Sequence, residues 1–211
     1  MKLYEIYTSV QGETQYAGLP CTLVRFAACD LRCGYCDTEY AFTGGQEVSR
    51  EAIVADVRGR GVPLVLLTGG EPLLQPELPA LARDLLAAGH EVMVETGGHR
   101  DVTPLPDGTI VILDIKTPGS GESERNLWSN LLRLGPRDAV KFVLTSEADY
   151  AWAKDVIARH RLGERCPVLL SPSFGVLPAS ELVAWMLRDR LRARLSLQIH
   201  KYVWPPETRG V

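Results

Sequence analysis

No run of about eighteen apolar residues occurs anywhere in the sequence, which excludes a membrane-spanning helix. A secretory leader is lacking too. After Lys2, the polar residues Glu5, Thr8, Ser9, Gln11 and Glu13 interrupt any apolar h-region, so the protein is expected to stay in the cytoplasm. Charge of one sign is not in excess: 23 Lys and Arg stand against 26 Asp and Glu, a net charge of −3. No bulk field therefore draws the chain to nucleic acid or to an anionic membrane. Internal repeats and low-complexity linkers are absent. Histidine is scarce, with four in 211 residues. Five cysteines are present, an odd number, and three of them fall within eight positions. That is not a disulfide framework, which spreads an even set along a short secreted chain. It points to a metal or redox centre in a reducing compartment.

What is present suits a globular enzyme. Hydrophobic residues make up 45% and charged residues 23%, ordinary for a soluble fold, and the length suits a single domain over 1–211. Short, mostly apolar runs recur at 21–28, 63–67, 91–94, 109–113, 140–144 and 167–170. Such runs read as strands buried on both faces of a parallel sheet. Helix candidates lie among them: one capped by Ser49 with stop signals at Gly59 and Gly61, then 78–88, 148–161 and 179–190. Alternating strand and helix predicts an α/β fold, an open or partial barrel with active residues at the carboxyl ends of its strands. Two loops that follow strands are long, 29–46 and 116–124, and long loops there carry chemistry.

The chemistry concentrates at Cys29-Asp-Leu-Arg-Cys33-Gly-Tyr-Cys36. Thiolates are soft donors that select zinc or iron–sulfur centres. A structural zinc site needs four ligands, and only three are local, since the nearest histidine, His90, is more than fifty residues on. Three thiolates on an iron–sulfur cluster leave one iron free to bind something else. The alternative is a zinc knuckle completed by Cys166 or a distant His. Cys21 and Cys166 sit in or beside apolar strands and read as small buried hydrophobes. A second motif, Thr68-Gly69-Gly70-Glu71-Pro72, ends a strand. Paired glycines let backbone approach a ligand and Glu71 offers a carboxylate to a cation. The bland reading is a tight strand-to-helix turn with Pro72 at its start. Glu95-Thr-Gly-Gly98, Asp114-Ile-Lys116 and Ser171-Pro-Ser-Phe174 place further polar groups just past apolar runs. Together they form one rim suited to a polar cofactor.

The CxxxCxxC triplet with the GGEP segment resembles the radical S-adenosylmethionine (SAM) superfamily. That resemblance implies a [4Fe–4S] cluster on Cys29, Cys33 and Cys36 whose open iron is chelated by SAM. A narrower set, Gln11-Gly12-Glu13, Arg25, Cys36-Asp37-Thr38 and Gln198-Ile-His200-Lys201, runs nearly end to end. It resembles the 7-carboxy-7-deazaguanine synthase family of queuosine biosynthesis, known for a trimmed, incomplete TIM-type barrel. The implied reaction is ring contraction of 6-carboxy-5,6,7,8-tetrahydropterin to 7-carboxy-7-deazaguanine with loss of ammonia, a radical-initiated carbon–nitrogen lyase reaction.

The resemblance also distributes roles. Tyr35, Asp37, Gly70, Glu71, Asp114, Lys116, Ser171 and Phe174 match SAM contacts, and Thr38 matches a Mg²⁺ ligand. Val10, Gln11, Gly12, Glu13, Arg25, Thr68 and Val211 match substrate contacts. A flavodoxin or ferredoxin as electron donor and a homodimer are implied, with no nucleic acid or membrane partner. On residue physics alone Thr38 reads as a loop cap and His200 as a core histidine. This chain departs from the pattern in part. Some members carry a longer insert between the first two cysteines, and others read Ser-Pro-Lys where this chain has Asp114-Ile-Lys116. Two other readings stand beside this one: an activating enzyme that makes a glycyl radical on a partner protein, and a zinc module without redox chemistry.

Overall fold

The computed structural model describes residues 1–211. Every apolar run of the sequence is a strand. Together with three others they form one nine-stranded sheet: β1 (Lys2–Val10), β2 (Pro20–Phe26), β3 (Gln46–Glu47), β4 (Leu64–Gly69), β5 (Glu91–Thr96), β6 (Ile110–Asp114), β7 (Ala139–Leu144), β8 (Val168–Pro172) and β9 (Arg194–Leu195). The spatial order is β3-β1-β2-β4-β5-β6-β7-β8-β9. From β2 to β9 every pair is parallel, and only β1 runs antiparallel, to β2 and to β3. The ends β3 and β9 do not pair, so the barrel is open, as the trimmed-barrel expectation requires.

Four helices connect the strands: α1 (Arg50–Arg60), α2 (Leu78–Ala87), α3 (Glu147–His160) and α4 (Ala179–Asp189), with a short turn of helix, α5 (His200–Val203), near the chain end. Ser49 caps α1 by accepting from the Ala52 N–H at 3.2 Å, and Gly61 ends it in the left-handed region. That cap contributes about 1 kcal/mol. Gly59 does not stop the helix but lies within it. Strand and helix do not alternate throughout. The β5–β6 connection has no helix, and the β6–β7 connection has only 3₁₀ turns at Pro118–Ser120, Ser123–Arg125 and Trp128–Leu132. Pro104, Pro106 and Pro118, with the glycines around them, break helical propagation there.

The two faces of the sheet differ. A cluster of 32 buried residues, including Val24, Leu67, Val94, Leu113 and Phe142, packs against the helices. A smaller cluster of nine, including Cys21, Leu23, Leu66, Met93, Ile112 and Ala139, lies on the opposite face. Side chains alternate faces with period two. The residue two beyond each member of the small cluster therefore shares its face. Those residues are Arg25, Thr68, Glu95, Asp114 and Lys141, and Ser171 follows Leu169 in the same way. The inner face is apolar at the amino ends of its strands and polar at the carboxyl ends.

Candidate active site

That polar rim lines a cleft of about 890 Å³, within the range of small-molecule sites. The cleft contains Cys29, Cys33, Cys36, Thr38, all seven expected substrate contacts and all the expected SAM contacts except Glu71. A smaller cavity of about 240 Å³ adjoins it and shares Pro172, Phe174 and Gln198.

All three cysteines are free and half-buried. Burial pushes their thiols up, Cys33 to about 11, and the charge of Cys36 adds to the shift at Cys29 and Cys33. Cys36 thus lies near enough to both Cys29 and Cys33 to influence their ionisation. A single zinc gathers its ligand atoms within about 2.3 Å of one point, whereas a cluster spreads its ligands around a larger body. Three thiolates in one loop with no fourth ligand beside them in sequence fit the cluster better than a zinc knuckle. The Leu31 N–H donates to Cys29 Sγ at 3.4 Å, the kind of bond that tunes a ligated sulfur. Cys21 and Cys166 are buried elsewhere, with thiols pushed up by burial to about 12 and about 11.

Beside the thiols, two residues that line the cleft each carry a buried polar atom without a hydrogen-bond partner: the Tyr35 hydroxyl and Asp114 Oδ1. Buried polar groups are rarely left unpaired, and two such atoms on residues of this cleft fit a polar cofactor such as SAM. The other Asp114 oxygen accepts from Lys116 Nζ at 2.8 Å, and that ammonium lies 6.0 Å from the Tyr35 ring centre. Burial would lower the Lys116 ammonium, but the Asp114 charge overrides it and holds the pKa above the ordinary lysine value. Ser171 is buried on the same rim and Phe174 is exposed at its edge.

Glu71 requires a correction. Its side chain is fully buried behind the cleft wall rather than offered to a cofactor amine. Both oxygens are consumed internally. Thr96 Oγ1 lies 2.8 and 2.9 Å from them, Gly97 N–H donates at 2.8 Å and Leu73 N–H at 2.9 Å. The carboxylate ties the ends of β4 and β5 together and caps the turn begun by Pro72. The tight-turn reading is the correct one for this side chain. Gly70 does reach the cleft. A Cβ there would sit 2.2 Å from the Ala28 carbonyl oxygen and 2.9 Å from Cys29 Cβ, so only glycine fits.

The far end of the cleft gathers three sequence segments. Gln198 Nε2 donates to Glu13 Oε1 at 2.9 Å and to Asp37 Oδ2 at 2.8 Å. Lys201 Nζ also reaches Asp37 Oδ2, at 3.0 Å, and Thr38 donates to its other oxygen at 2.9 Å. Desolvation in the cleft would raise the Asp37 carboxyl, but Lys201 and these hydrogen bonds hold it well below the usual range. Thr38 occupies the N-cap position of a 3₁₀ turn, Glu39–Ala41, and accepts the Ala41 N–H at 2.9 Å through its carbonyl, while its hydroxyl bonds Asp37 instead of the turn. Gln11 is buried and accepts from the Glu13 N–H at 2.5 Å. His200 is not a core histidine. It is half-buried in the cleft wall, and a Cβ on Gly12 would fall 2.1 Å from its Nδ1. Desolvation lowers its pKa. Arg25 is oriented by Glu5, 2.8 Å from Nε, and by the Tyr7 hydroxyl, 3.1 Å from Nη2, leaving the rest of the guanidinium for the cleft. Residues 206–211 fold back along the cleft, with the Arg209 guanidinium 4.2 Å from the Tyr40 ring centre and Val211 at the wall.

Sequence reasoning missed Lys141. On β7 it is buried between two carboxylates, touching Glu13 Oε2 and lying 2.7 Å from Glu95 Oε1. Burial would lower the ammonium, but Glu13 and Glu95 raise it well above the ordinary value. Burial pushes the Glu95 carboxyl up, against Lys141. The strand alternation was the available signal: Glu95 lies two beyond Met93 and Lys141 two beyond Ala139.

Residues 23–110 match the radical SAM superfamily. The chain is 42% identical to a protein named 7-carboxy-7-deazaguanine synthase from Koribacter versatilis, over the whole of both chains. It is 42% identical to one of the same name from Chlorobaculum tepidum, over all of this chain and 97% of that one. Among solved structures it resembles QueE from Escherichia coli, with a TM-score of 0.73 at 21% identity over 93% of this chain and 92% of that one. It also resembles SuiB from Streptococcus suis, solved bound to S-adenosylmethionine, with a TM-score of 0.58 at 12% identity over 83% of this chain and 51% of that one. These two similarities concern the fold alone.

Proposed function

Since the chain belongs to the 7-carboxy-7-deazaguanine synthase family, within the radical SAM superfamily, we propose that its cleft contracts the ring of 6-carboxy-5,6,7,8-tetrahydropterin to 7-carboxy-7-deazaguanine with loss of ammonia. The observation that carries this reading is Gln198, whose amide joins Glu13 to Asp37. It brings the pterin-matching segment, the end of the cysteine loop and the C-terminal motif to one place. A glycyl-radical activating enzyme needs a surface for a protein loop, and nothing in this enclosed polar end favours one.

In this reading Cys29, Cys33 and Cys36 hold the [4Fe–4S] cluster. Tyr35, Asp37, Gly70, Asp114, Lys116, Ser171 and Phe174 hold SAM. Bound there, the two supply the one-electron chemistry that starts the rearrangement. The chain's own residues position the pterin. Gln11 and Glu13 read its donor and acceptor edge, and Lys141 and Gln198 preset the Glu13 carboxylate. Arg25 meets the substrate carboxylate with the part of its guanidinium that Glu5 and Tyr7 leave free. Val10, Gly12, Thr68 and Val211 complete the walls. Thr38 offers a hard oxygen to Mg²⁺, which takes its other ligands from water and substrate. A flavodoxin or ferredoxin supplies the electron, and the protein works as a homodimer.

The test is anaerobic reconstitution with iron and sulfide, then incubation with dithionite, SAM, Mg²⁺ and the carboxytetrahydropterin, with product read by mass spectrometry. Formation of 7-carboxy-7-deazaguanine, lost on Cys33→Ala, is the expected result. A brown protein that cleaves SAM but leaves the pterin untouched would refute the substrate and keep the cofactor. A dependence of rate on Mg²⁺ that Thr38→Ala abolishes tests the metal.

A further inference from the structure

We infer that His99 and Asp30 are positioning residues that fix the cysteine loop against the floor of the SAM site. This rests on the reading of Cys29 as a cluster ligand. Asp30 follows Cys29 directly. Its Oδ1 lies 2.7 Å from His99 Nε2, and its Oδ2 lies 2.6 Å from Arg100 and 3.0 Å from Arg125. Arg125 also donates to the Asp30 carbonyl. The two arginines are partly exposed, and exposed ion pairs contribute little. His99 is the enclosed member, with its side chain 3% exposed.

The other ring nitrogen, Nδ1, is buried without a hydrogen bond and points to Glu71 Oε2 at 3.7 Å. The imidazole therefore fills the gap between the cysteine loop and the turn at Gly69-Gly70-Glu71. The gap is sized for it: a Cβ on Gly97 would lie 3.2 Å from Nδ1 and 2.8 Å from Leu31 Cδ1. Elsewhere the same two segments touch through backbone. Glu71 N–H donates to the Ala28 carbonyl at 2.8 Å, and Gly70 packs on Cys29. Backbone contact joins loop and turn at one point and the imidazole braces them at another, so their separation is fixed. A ligand that spans Cys29's cluster and the Gly70 floor senses that separation directly. Productive placement tolerates only about 0.5 Å, and removing outer partners of a metal site costs about 10- to 100-fold in affinity or activity.

The test uses reconstituted His99→Phe, His99→Gln and Asp30→Asn. Three quantities are measured: iron and sulfide per chain, the dissociation constant of SAM by equilibrium dialysis, and the electron paramagnetic resonance signal of the reduced cluster with and without SAM. The expected result is iron content equal to that of the unsubstituted protein, SAM affinity weakened about tenfold, and a diminished SAM-induced change in the signal. His99→Gln, which can still donate to Asp30, should recover part of the loss. Asp30→Asn preserves size and keeps the test decisive if His99→Phe does not fold. Full iron with unchanged SAM affinity and signal would overturn the inference. So would loss of iron from variants with native circular dichroism, because the pair would then serve the ligand loop alone. Failure of the unsubstituted protein to take up iron is a different result, and it would overturn the cluster reading instead.

Discussion

Replacing Lys141 by Met should destabilise the protein most at neutral pH and progressively less in acid. Lys141 is 6% exposed and is in contact with both Glu13 and Glu95. Methionine removes the ammonium and leaves two desolvated carboxylates facing each other. Breaking a buried ion pair from one side costs about 3–5 kcal/mol. Glu13 and Glu95 keep some access to the cleft, 15% and 19% by side chain, so the low end applies, about 3 kcal/mol. At this chain length that lowers the melting midpoint by about 6–12 °C. The pH dependence follows from the directions of the shifts. The Lys141 pKa is raised on folding, so its contribution is complete at neutral pH and is lost only as pH rises through the folded value. Glu95 is also raised, by burial, so its ionised form opposes folding above its unfolded pKa, and that opposition vanishes in acid. In Lys141→Met nothing offsets the opposition, so the deficit should be large at pH 7.5 and shrink toward pH 5 as Glu95 protonates. Urea denaturation of matched apo preparations at the two pH values measures it. Lys141→Met/Glu95→Gln should recover part of the loss, because the two residues are in contact and not additive. A deficit below about 1 kcal/mol at pH 7.5, or one independent of pH, would refute the buried-network account.

Other substitutions separate the parts of the site. Gln198→Leu removes one amide from two carboxylates. At about 1.5–3 kcal/mol for hydrogen bonds to charged groups, kcat/KM for the pterin should fall at least tenfold while iron content holds. Gly70→Ala forces a methyl into the Ala28 carbonyl and Cys29, so iron per chain after reconstitution should drop, as absorbance and colorimetric iron would register. Ser49→Ala removes the α1 cap far from the cleft. It should cost about 1 kcal/mol, a melting shift of about 2–4 °C, with unchanged product formation.

The sequence discloses unequal shares of this molecule. The parallel strands β2 and β4 to β8 were legible because strands buried on both faces read as apolar runs. β1 was not, because Lys2–Val10 is half-exposed along its length and its polar residues look like loop. The carboxyl-terminal residues of β4, β5, β6 and β8 lay beyond the apolar runs because they are polar although buried: Thr68, Thr96, Asp114 and Ser171. Motifs placed the cysteines, Glu13, Asp37 and Gln198 in one site, but a motif names residues without saying where a side chain turns. Glu71 spends its carboxylate inside the wall. His200 leaves the core for the cleft because Gly12 has no side chain to exclude it. Lys141 was hidden in plain view: a lysine inside an apolar strand reads as noise until its two carboxylate partners, 128 and 46 positions away, are known.

Gln198 closes the cleft onto groups that precede it by 185 and 161 residues, which bears on how the enzyme is made. Synthesis runs from the N-terminus. The three thiols are exposed to the maturation machinery long before the segment that completes the pterin end exists. The order of synthesis is then cluster ligands first and the segment that closes the substrate end last. A chain stopped short of residue 198 should still take up iron and turn brown, yet hold a pterin weakly, because Gln198, His200 and Val211 are missing from the cleft.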